Sequence, residues 1–152
     1  MESLKEMLAD QIGKDYWETD YSERINYKML IKSMGYDIES HESFGSYQGD
    51  IIFVVWDRPN KRHGILVCGY GSCSVCDAIE SIISYGALDD EKIDQLTALR
   101  DSLAADIMWE DQRGGLMKRV EQAIENNSSY WLYSPGENDY VIAMAKKYDE
   151  AY

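Results

Sequence analysis

The stretch that decides the fold is Ile51-Ile52-Phe53-Val54-Val55-Trp56. All of these residues are β-branched or aromatic, which are the types that strands favour. Alternate side chains of a strand point to opposite faces of the sheet. An apolar run without interruption therefore predicts a central strand that is covered on both faces.

Two further strands are predicted beside it. Residues 36–44 are polar with scattered apolar positions, and residues 64–70 are mostly apolar. Residues 45–50 are turn-like, and Arg58-Pro59-Asn60 is a second turn signal. Connections this short join antiparallel strands, because parallel pairing requires a longer crossover. The sequence therefore predicts an antiparallel meander, and residues 130–133 favour a short further strand.

Helical periodicity surrounds the strands. Capping boxes at Asp20 with Glu23, and at Ser74 with Asp77, predict the starts of the helices on either side of the sheet. Residues 89–91 place negative charge at another helix start, where the helix dipole favours it. The apolar positions that define the helices are Leu4, Met7, Leu8 and Ile12; Ile25, Met29, Leu30 and Met34; Ile79, Ile82 and Ile83; Ile93, Leu96, Leu99, Leu103 and Ile107; Leu116, Val120, Ala123 and Ile124; and Val141, Ile142, Ala145 and Tyr148.

The order of elements is helices, then strands, then helices, which is typical of α+β proteins. A chain of 152 residues corresponds in length to one domain. We therefore expect residues 1–152 to form a single α+β domain, with a three- to four-stranded antiparallel meander and about five packed helices.

Charge is the strongest compositional feature. The chain has 15 Lys and Arg against 28 Asp and Glu, a net charge of −13. Nucleic-acid binders need cations to displace counterions, so direct nucleic-acid binding is not expected, and neither is binding to an anionic membrane. A basic protein is the natural partner. The charged N-terminus and three cysteines favour the cytoplasm, with no leader, membrane span or disulfide.

Aromatic composition indicates where a partner could dock. The chain has 12 tyrosines and 4 tryptophans but only 2 phenylalanines. Tyrosine and tryptophan are enriched at protein interfaces. The alternative is that these residues line a modest core. The predicted docking surface consists of Tyr16, Trp17, Tyr21, Tyr47, Asp50, Asp89, Asp90 and Glu91.

A glycine- and cysteine-rich loop follows the third predicted strand. Cys73 and Cys76 have dithiol spacing, and Cys76 is predicted to lie in the first turn of a helix, where a thiolate is favoured. No Lys or Arg lies between His63 and Lys92, and Asp77 is a like charge beside Cys76. Packing of small apolar side chains is the alternative role. The loop of possible function comprises Gly69, Tyr70, Gly71, Ser72, Cys73, Cys76 and Asp77.

Other chemistry has weaker signals. A zinc site of His63, Cys68, Cys73 and Cys76 is disfavoured, because His63 and Cys68 are predicted on opposite faces of one strand. We expect His41 and His63 to be surface or loop histidines, so no catalytic triad is indicated. The sequence thus predicts no metal and no cofactor, and favours a protein that is not an enzyme.

Two motifs resemble a known group of proteins. GSYQGD at residues 45–50 and GYGSCSVCDA at residues 69–78 resemble a family of small acidic proteins of bacteriophages and mobile elements. The resemblance covers about residues 44–80 and implies no catalytic residues. It implies an intracellular phage-type accessory protein. Small acidic proteins in that setting are often inhibitors of host defence enzymes.

The predicted function follows from charge, aromatics and this resemblance. We expect a protein that binds and inhibits a basic host protein, such as a nucleic-acid-handling defence enzyme, in the manner of anti-CRISPR proteins. Charge and steric occlusion of the partner's nucleic-acid groove would be the mechanism. One alternative is a thiol-dependent enzyme or redox protein that uses Cys73 and Cys76. Another is a protein that sequesters a small ligand at the rim formed by residues 69–77. The sequence leaves the oligomeric state open.

Overall fold

A computed structural model of the chain describes residues 3–15, 18–20, 24–45, 48–71, 77–110, 115–126 and 135–150. Helices precede and follow a sheet, which confirms the predicted α+β class. The helices are α1 (Leu4–Met7), α2 (Tyr27–Ser33), α3 (Ala78–Ile83), α4 (Asp90–Asp106), α5 (Gly115–Asn126) and α6 (Pro135–Glu150). The strands are β1 (Asp37–Gly45), β2 (Gln48–Asp57), β3 (Arg62–Gly71) and β4 (Met108–Trp109), and a 3-10 helix (Ala9–Gln11) follows α1.

The sheet is an antiparallel meander in the order β1-β2-β3-β4. The predicted central strand is correct, since β2 lies between β1 and β3 and its residues 52–55 are buried. Phe53 and Val55 pack with residues of α1 to α4 on one face, which we call the α1–α4 face. Ile52 and Val54 pack with α5 and α6 on the other, the α5–α6 face. The hydrophobic core therefore lies on both sides of one sheet.

The fourth strand lies where the sequence predicted the end of a helix. Helix α4 ends at Asp106, and Ile107 has extended backbone angles (φ −64°, ψ 129°). Met108 and Trp109 then pair with Ile65 and Gly64 of β3. A Cβ at position 64 would lie 2.6 Å from Cγ2 of Ile107 and 2.7 Å from Cε3 of Trp109. Glycine at this position allows the close approach that forms β4.

Two predicted helix starts are wrong by a few residues. Asn26, and not Asp20, caps α2, and its side chain accepts a hydrogen bond from the N–H of Met29 at 3.0 Å. Asp77, and not Ser74, caps α3. Asn, Asp and Ser cap helices about equally well, so capping preference alone does not select between the candidates. The acidic start of α4 is confirmed, with Asp89 as its cap.

Other boundaries also shift. Strand β2 begins at Gln48, so only the first part of the predicted turn at residues 45–50 separates β1 from β2. The first helix ends at Met7 and continues as the 3-10 turn, with Gly13 at φ +87° shortly after it. The short strand predicted at residues 130–133 lies outside the described residues. No helix among the described segments is long and apolar enough to cross a membrane.

Candidate functional site

A concave groove of about 480 Å³ lies on the α1–α4 face, between α2, α3 and the sheet. We call it the α2–α3 groove. Its volume falls in the range of known ligand-binding pockets. It is lined by Arg24, Ile25, Asn26, Tyr27 and Lys28 in and before α2, by His41 and Ser43 of β1, by Ile51 and Phe53 of β2, by Tyr70 and Gly71 of β3, and by Asp77, Ile79, Glu80 and Ile83 in and before α3.

Tyrosine hydroxyls fix the sheet end of this groove. The Tyr27 hydroxyl donates a hydrogen bond to the backbone oxygen of Gly69 at 2.5 Å, which ties the start of α2 to the end of β3. The Tyr70 hydroxyl donates to the backbone oxygen of Phe44 at 3.0 Å, across the sheet to β1. Both bonds join elements that are distant in sequence, so the groove depends on the whole fold.

Helix α3 forms the opposite wall. The Oδ1 atom of Asp77 accepts hydrogen bonds from the N–H groups of Ile79 and Glu80, at 3.0 and 3.2 Å. Ile79 and Ile83 point into the core and are buried. The capped first turn therefore sets the position of Glu80 at the groove. The wall is apolar at Ile79 and Ile83 and acidic at Asp77 and Glu80.

The inner end of the groove is electronegative. Burial, followed by the charge of Asp77, raises the pKa of Tyr27. Burial, followed by the charge of Asp50, raises the pKa of the Cys68 thiol. Cys68 and Asp50 are each 1% exposed. The carboxylates of Asp50 and Asp77 act on both Tyr27 and Cys68. A cationic group at this end would therefore be favoured over an anionic one.

The α2 rim has the opposite character. Lys28 and His41 are exposed there. Arg24 is held in place, with its Nε donating to the backbone oxygen of Thr19 at 3.1 Å. The groove is thus basic along the α2 rim and acidic along the α3 wall, with Phe53 and Tyr70 between them.

The structure places the described ends of the predicted loop at this groove. Gly69, Tyr70 and Gly71 are the last residues of β3, and Asp77 is the cap of α3. Ser72, Cys73 and Cys76 lie outside the described residues, as does the predicted place of Cys76 in a helical turn. The thiol hypothesis therefore concerns those two cysteines, since Cys68 is buried.

Only part of the predicted docking surface can be located. Tyr16, Trp17, Tyr21 and Tyr47 lie outside the described residues. Asp50 is 1% exposed, so its side chain does not lie at the surface of the isolated chain. Asp89, Asp90 and Glu91 are exposed at the start of α4, where Asp90 lies 3.2 Å from Nζ of Lys5.

His63 differs from its prediction as a surface or loop histidine. Its side chain is 13% exposed, and its ring lies between Trp56 and Tyr148, with ring centroids 4.5 and 4.3 Å away. Its Nε2 lies 3.0 Å from Oε1 of Glu39, whose Oε2 accepts from the Tyr148 hydroxyl at 3.0 Å. His41 is in β1 and exposed, as predicted for a surface residue.

His63, Glu39 and Tyr148 form a cluster that links helix α6 to the sheet. His63 faces the α5–α6 side of the sheet and Cys68 the α1–α4 side, so the prediction of opposite faces is confirmed. Among the residues that the structure describes, no group of three or more His, Cys, Asp or Glu could hold a metal ion. The cluster instead attaches α6 to the sheet.

Sequence reasoning missed most of the groove. Tyr27, Lys28 and His41 carried no motif, and they meet only because α2 packs over β1. The one available signal was the pair of glycine motifs, whose described residues lie side by side at one end of the sheet. No family model matches the chain, and neither a curated protein nor a solved structure matches it.

Proposed function

We propose that the protein is a binding protein, not an enzyme, and that it holds a basic partner protein at the α2–α3 groove. The observation that carries this proposal is the groove itself, about 480 Å³ in volume, with the carboxylates of Asp77 and Glu80 along its α3 wall. A lysine or arginine side chain of a partner would meet Asp77 and Glu80 there, with the half-buried Tyr70 ring available for contact with the cation.

The charge of the whole chain supports the same partner class. With a net charge of −13, the protein attracts basic surfaces over distances of about a Debye length, roughly 10 Å. Helix α4 adds exposed carboxylates on its outer side. These are Asp90, Glu91, Asp94, Asp101 and Asp106. Such charges speed the encounter more than they tighten the complex.

The setting of the proposal comes from the resemblance of the two glycine motifs to phage proteins. In that setting the partner is a basic host protein in the bacterial cytoplasm, such as a nucleic-acid-handling defence enzyme. The acidic protein would occlude the groove of the enzyme by its charge and bulk. This step rests on analogy between families and on the sign of the charge.

The test is capture of a partner from bacterial lysate with two matched variants. Ser43→Trp fills the groove from β1, whereas Ser102→Trp places the same side chain on the exposed side of α4. We expect capture of one basic protein by the wild type and by Ser102→Trp, and at least about tenfold weaker capture by Ser43→Trp. Added salt should weaken capture further.

Equal capture by both variants would contradict a role for the groove. Capture that does not respond to salt would contradict the electrostatic part. Circular dichroism of each variant shows whether a loss of capture reflects unfolding.

A second candidate function is sequestration of a small ligand. The same volume favours it, together with the position of Tyr70, Gly71 and Asp77 at the groove rim, where the sequence predicted a ligand loop. Native mass spectrometry of the wild type and Ser43→Trp provides the test. A retained small molecule that only the wild type carries would favour this function over protein binding.

The thiol alternative is testable separately. Because Cys68 is buried and its pKa is raised, alkylation of the folded protein would report on Cys73 and Cys76. Apparent pKa values near the ordinary value of about 8.5 for both would remove thiol chemistry from consideration.

A further inference from the structure

Among the residues that the structure describes, strand β1 is an edge strand of the sheet. It spans nine residues, and β2 is its only strand partner in that part of the chain. Within the described ranges, the backbone of β1 forms no hydrogen bond with the backbone of any element other than β2, and its one bond to a side chain elsewhere is from the Tyr70 hydroxyl to the Phe44 oxygen. A row of unpaired N–H and C=O groups is a template for another strand.

The outer edge of β1 adjoins the α2–α3 groove. His41 and Ser43 lie opposite Phe53 and Ile51, so their side chains face the groove. Glu42 lies opposite Ile52 and faces the α5–α6 side. A strand added to β1 would follow the same alternation. Every second side chain of such a strand would therefore point toward the groove side.

Charge selects the kind of strand that would fit. Asp37, Glu39 and Glu42 lie along β1 and are exposed; Asp37 also pairs with Arg58, and Glu39 lies 3.0 Å from His63. Pairing of β1 with a second copy of itself would bring these carboxylates close together, and like charges across a strand pair are destabilising. A strand with lysine or arginine would instead place opposite charges side by side. The edge thus favours a basic segment over self-association.

We propose that the outer edge of β1 binds an extended, lysine- or arginine-rich segment of the partner, which joins the sheet antiparallel or parallel to β1 and directs alternate side chains into the α2–α3 groove. Backbone hydrogen bonds would supply affinity, and the groove would supply specificity. This inference rests on the proposed function, because it names the part of the basic partner that is held.

The probe is a short peptide in which lysine alternates with valine, with a glutamate–valine peptide as its control. Amide hydrogen exchange of the wild-type protein is measured with each. We expect the lysine peptide to protect alternate amides of β1, because only every second residue of an edge strand has its N–H directed outward. The glutamate peptide should bind at least about tenfold more weakly.

Two variants test the two components of the site. Ser43→Trp should weaken the lysine peptide at least about tenfold by filling the groove, and Ser102→Trp should leave its affinity unchanged. Protection of other elements without β1, or equal binding of both peptides, would overturn the inference. If lysate capture depends on the groove while β1 amides remain unprotected, the proposed function stands and the added strand is wrong.

Discussion

At the scale of single residues, Asp57 shows how a buried charge is kept ionised. Its side chain is 4% exposed and accepts hydrogen bonds from Asn60 at 2.8 Å and from Arg62 at 2.9 Å. Burial alone would raise the pKa of Asp57, but these hydrogen bonds lower it below its ordinary value. The Arg62 guanidinium also lies 3.9 Å from the centre of the Trp109 ring. The carboxylate thus holds the cation that packs against β4.

We predict that Asp57→Asn lowers the free energy of unfolding by about 2 kcal/mol near neutral pH, because a hydrogen-bonded charge pair is lost. Since the pKa is lowered in the folded state, the stabilisation is present above the unfolded value of about 3.9 and is lost as pH falls below it. In urea unfolding, the free energies of unfolding of the variant and the wild type should converge as the pH falls into the acid range.

The control is Asp37→Asn, at the exposed ion pair with Arg58, whose N–O distance is 2.7 Å. This pair is largely in solvent, so its loss should cost less than about 1 kcal/mol. Equal effects of the two variants would show that burial of Asp57 contributes nothing.

At the scale of elements, the short strand β4 depends on one glycine of its neighbour. Gly64 lies opposite Trp109, and the Trp109 ring also packs edge-on against Tyr36 at 5.0 Å. The chain leaves α4 at Ile107, so this contact sets where the helix gives way to the sheet. The sequence did not reveal it, because a two-residue strand has no periodicity of its own.

We predict that Gly64→Ala destabilises the protein by about 1–3 kcal/mol through overpacking. The added methyl would lie within 3 Å of both Ile107 and Trp109. Gly69→Ala in the same strand is the matched control, because its nearest neighbour would be Oδ1 of Asp50 at 3.7 Å, an ordinary contact. Denaturant unfolding followed by tryptophan fluorescence measures both, and a smaller effect at position 64 than at 69 would contradict the packing argument.

The limits of prediction follow from sequence separation. The central strand was predictable because six adjacent residues define both of its faces. The groove was not, because Tyr27 meets Gly69 across 42 positions of the chain. The helix starts were missed narrowly, since several polar residues near each start are able to cap and only packing selects between them. The burial of His63 was also missed, because its partners come from β1, β2 and α6, which are distant from one another in sequence.

At the scale of the whole molecule, two helical layers share one sheet and are tied to it differently. The α1–α4 face is joined by apolar contacts and by the Tyr27 hydroxyl to a backbone oxygen, whereas α6 is joined by the Tyr148 hydroxyl to a carboxylate, that of Glu39. Burial, together with this hydrogen bond, raises the pKa of Tyr148 to about 12. Because the Tyr148 hydroxyl must keep its proton to donate this hydrogen bond, the attachment of α6 to the sheet depends on pH.

We predict that this coupling weakens the fold in alkali. A raised pKa in the folded state gives stabilisation that is complete below the unfolded value of about 10 and is lost as pH rises toward about 12. Tyr148→Phe should therefore show a shallower fall in unfolding free energy above about pH 10 than the wild type. Urea unfolding across this range measures it, and parallel curves would exclude a contribution from Tyr148.

The burial of Cys68 also has a practical consequence for spectroscopy. The chain has three cysteines, and Cys68 is 1% exposed with a raised thiol pKa. Any fluorophore that a thiol-reactive dye attaches to the folded protein therefore resides at Cys73 or Cys76. Both positions fall between Gly71 and Asp77 in sequence, which line the α2–α3 groove. Dye attachment with and without a groove ligand therefore measures whether these two thiols respond to groove occupancy, and no cysteine has to be engineered.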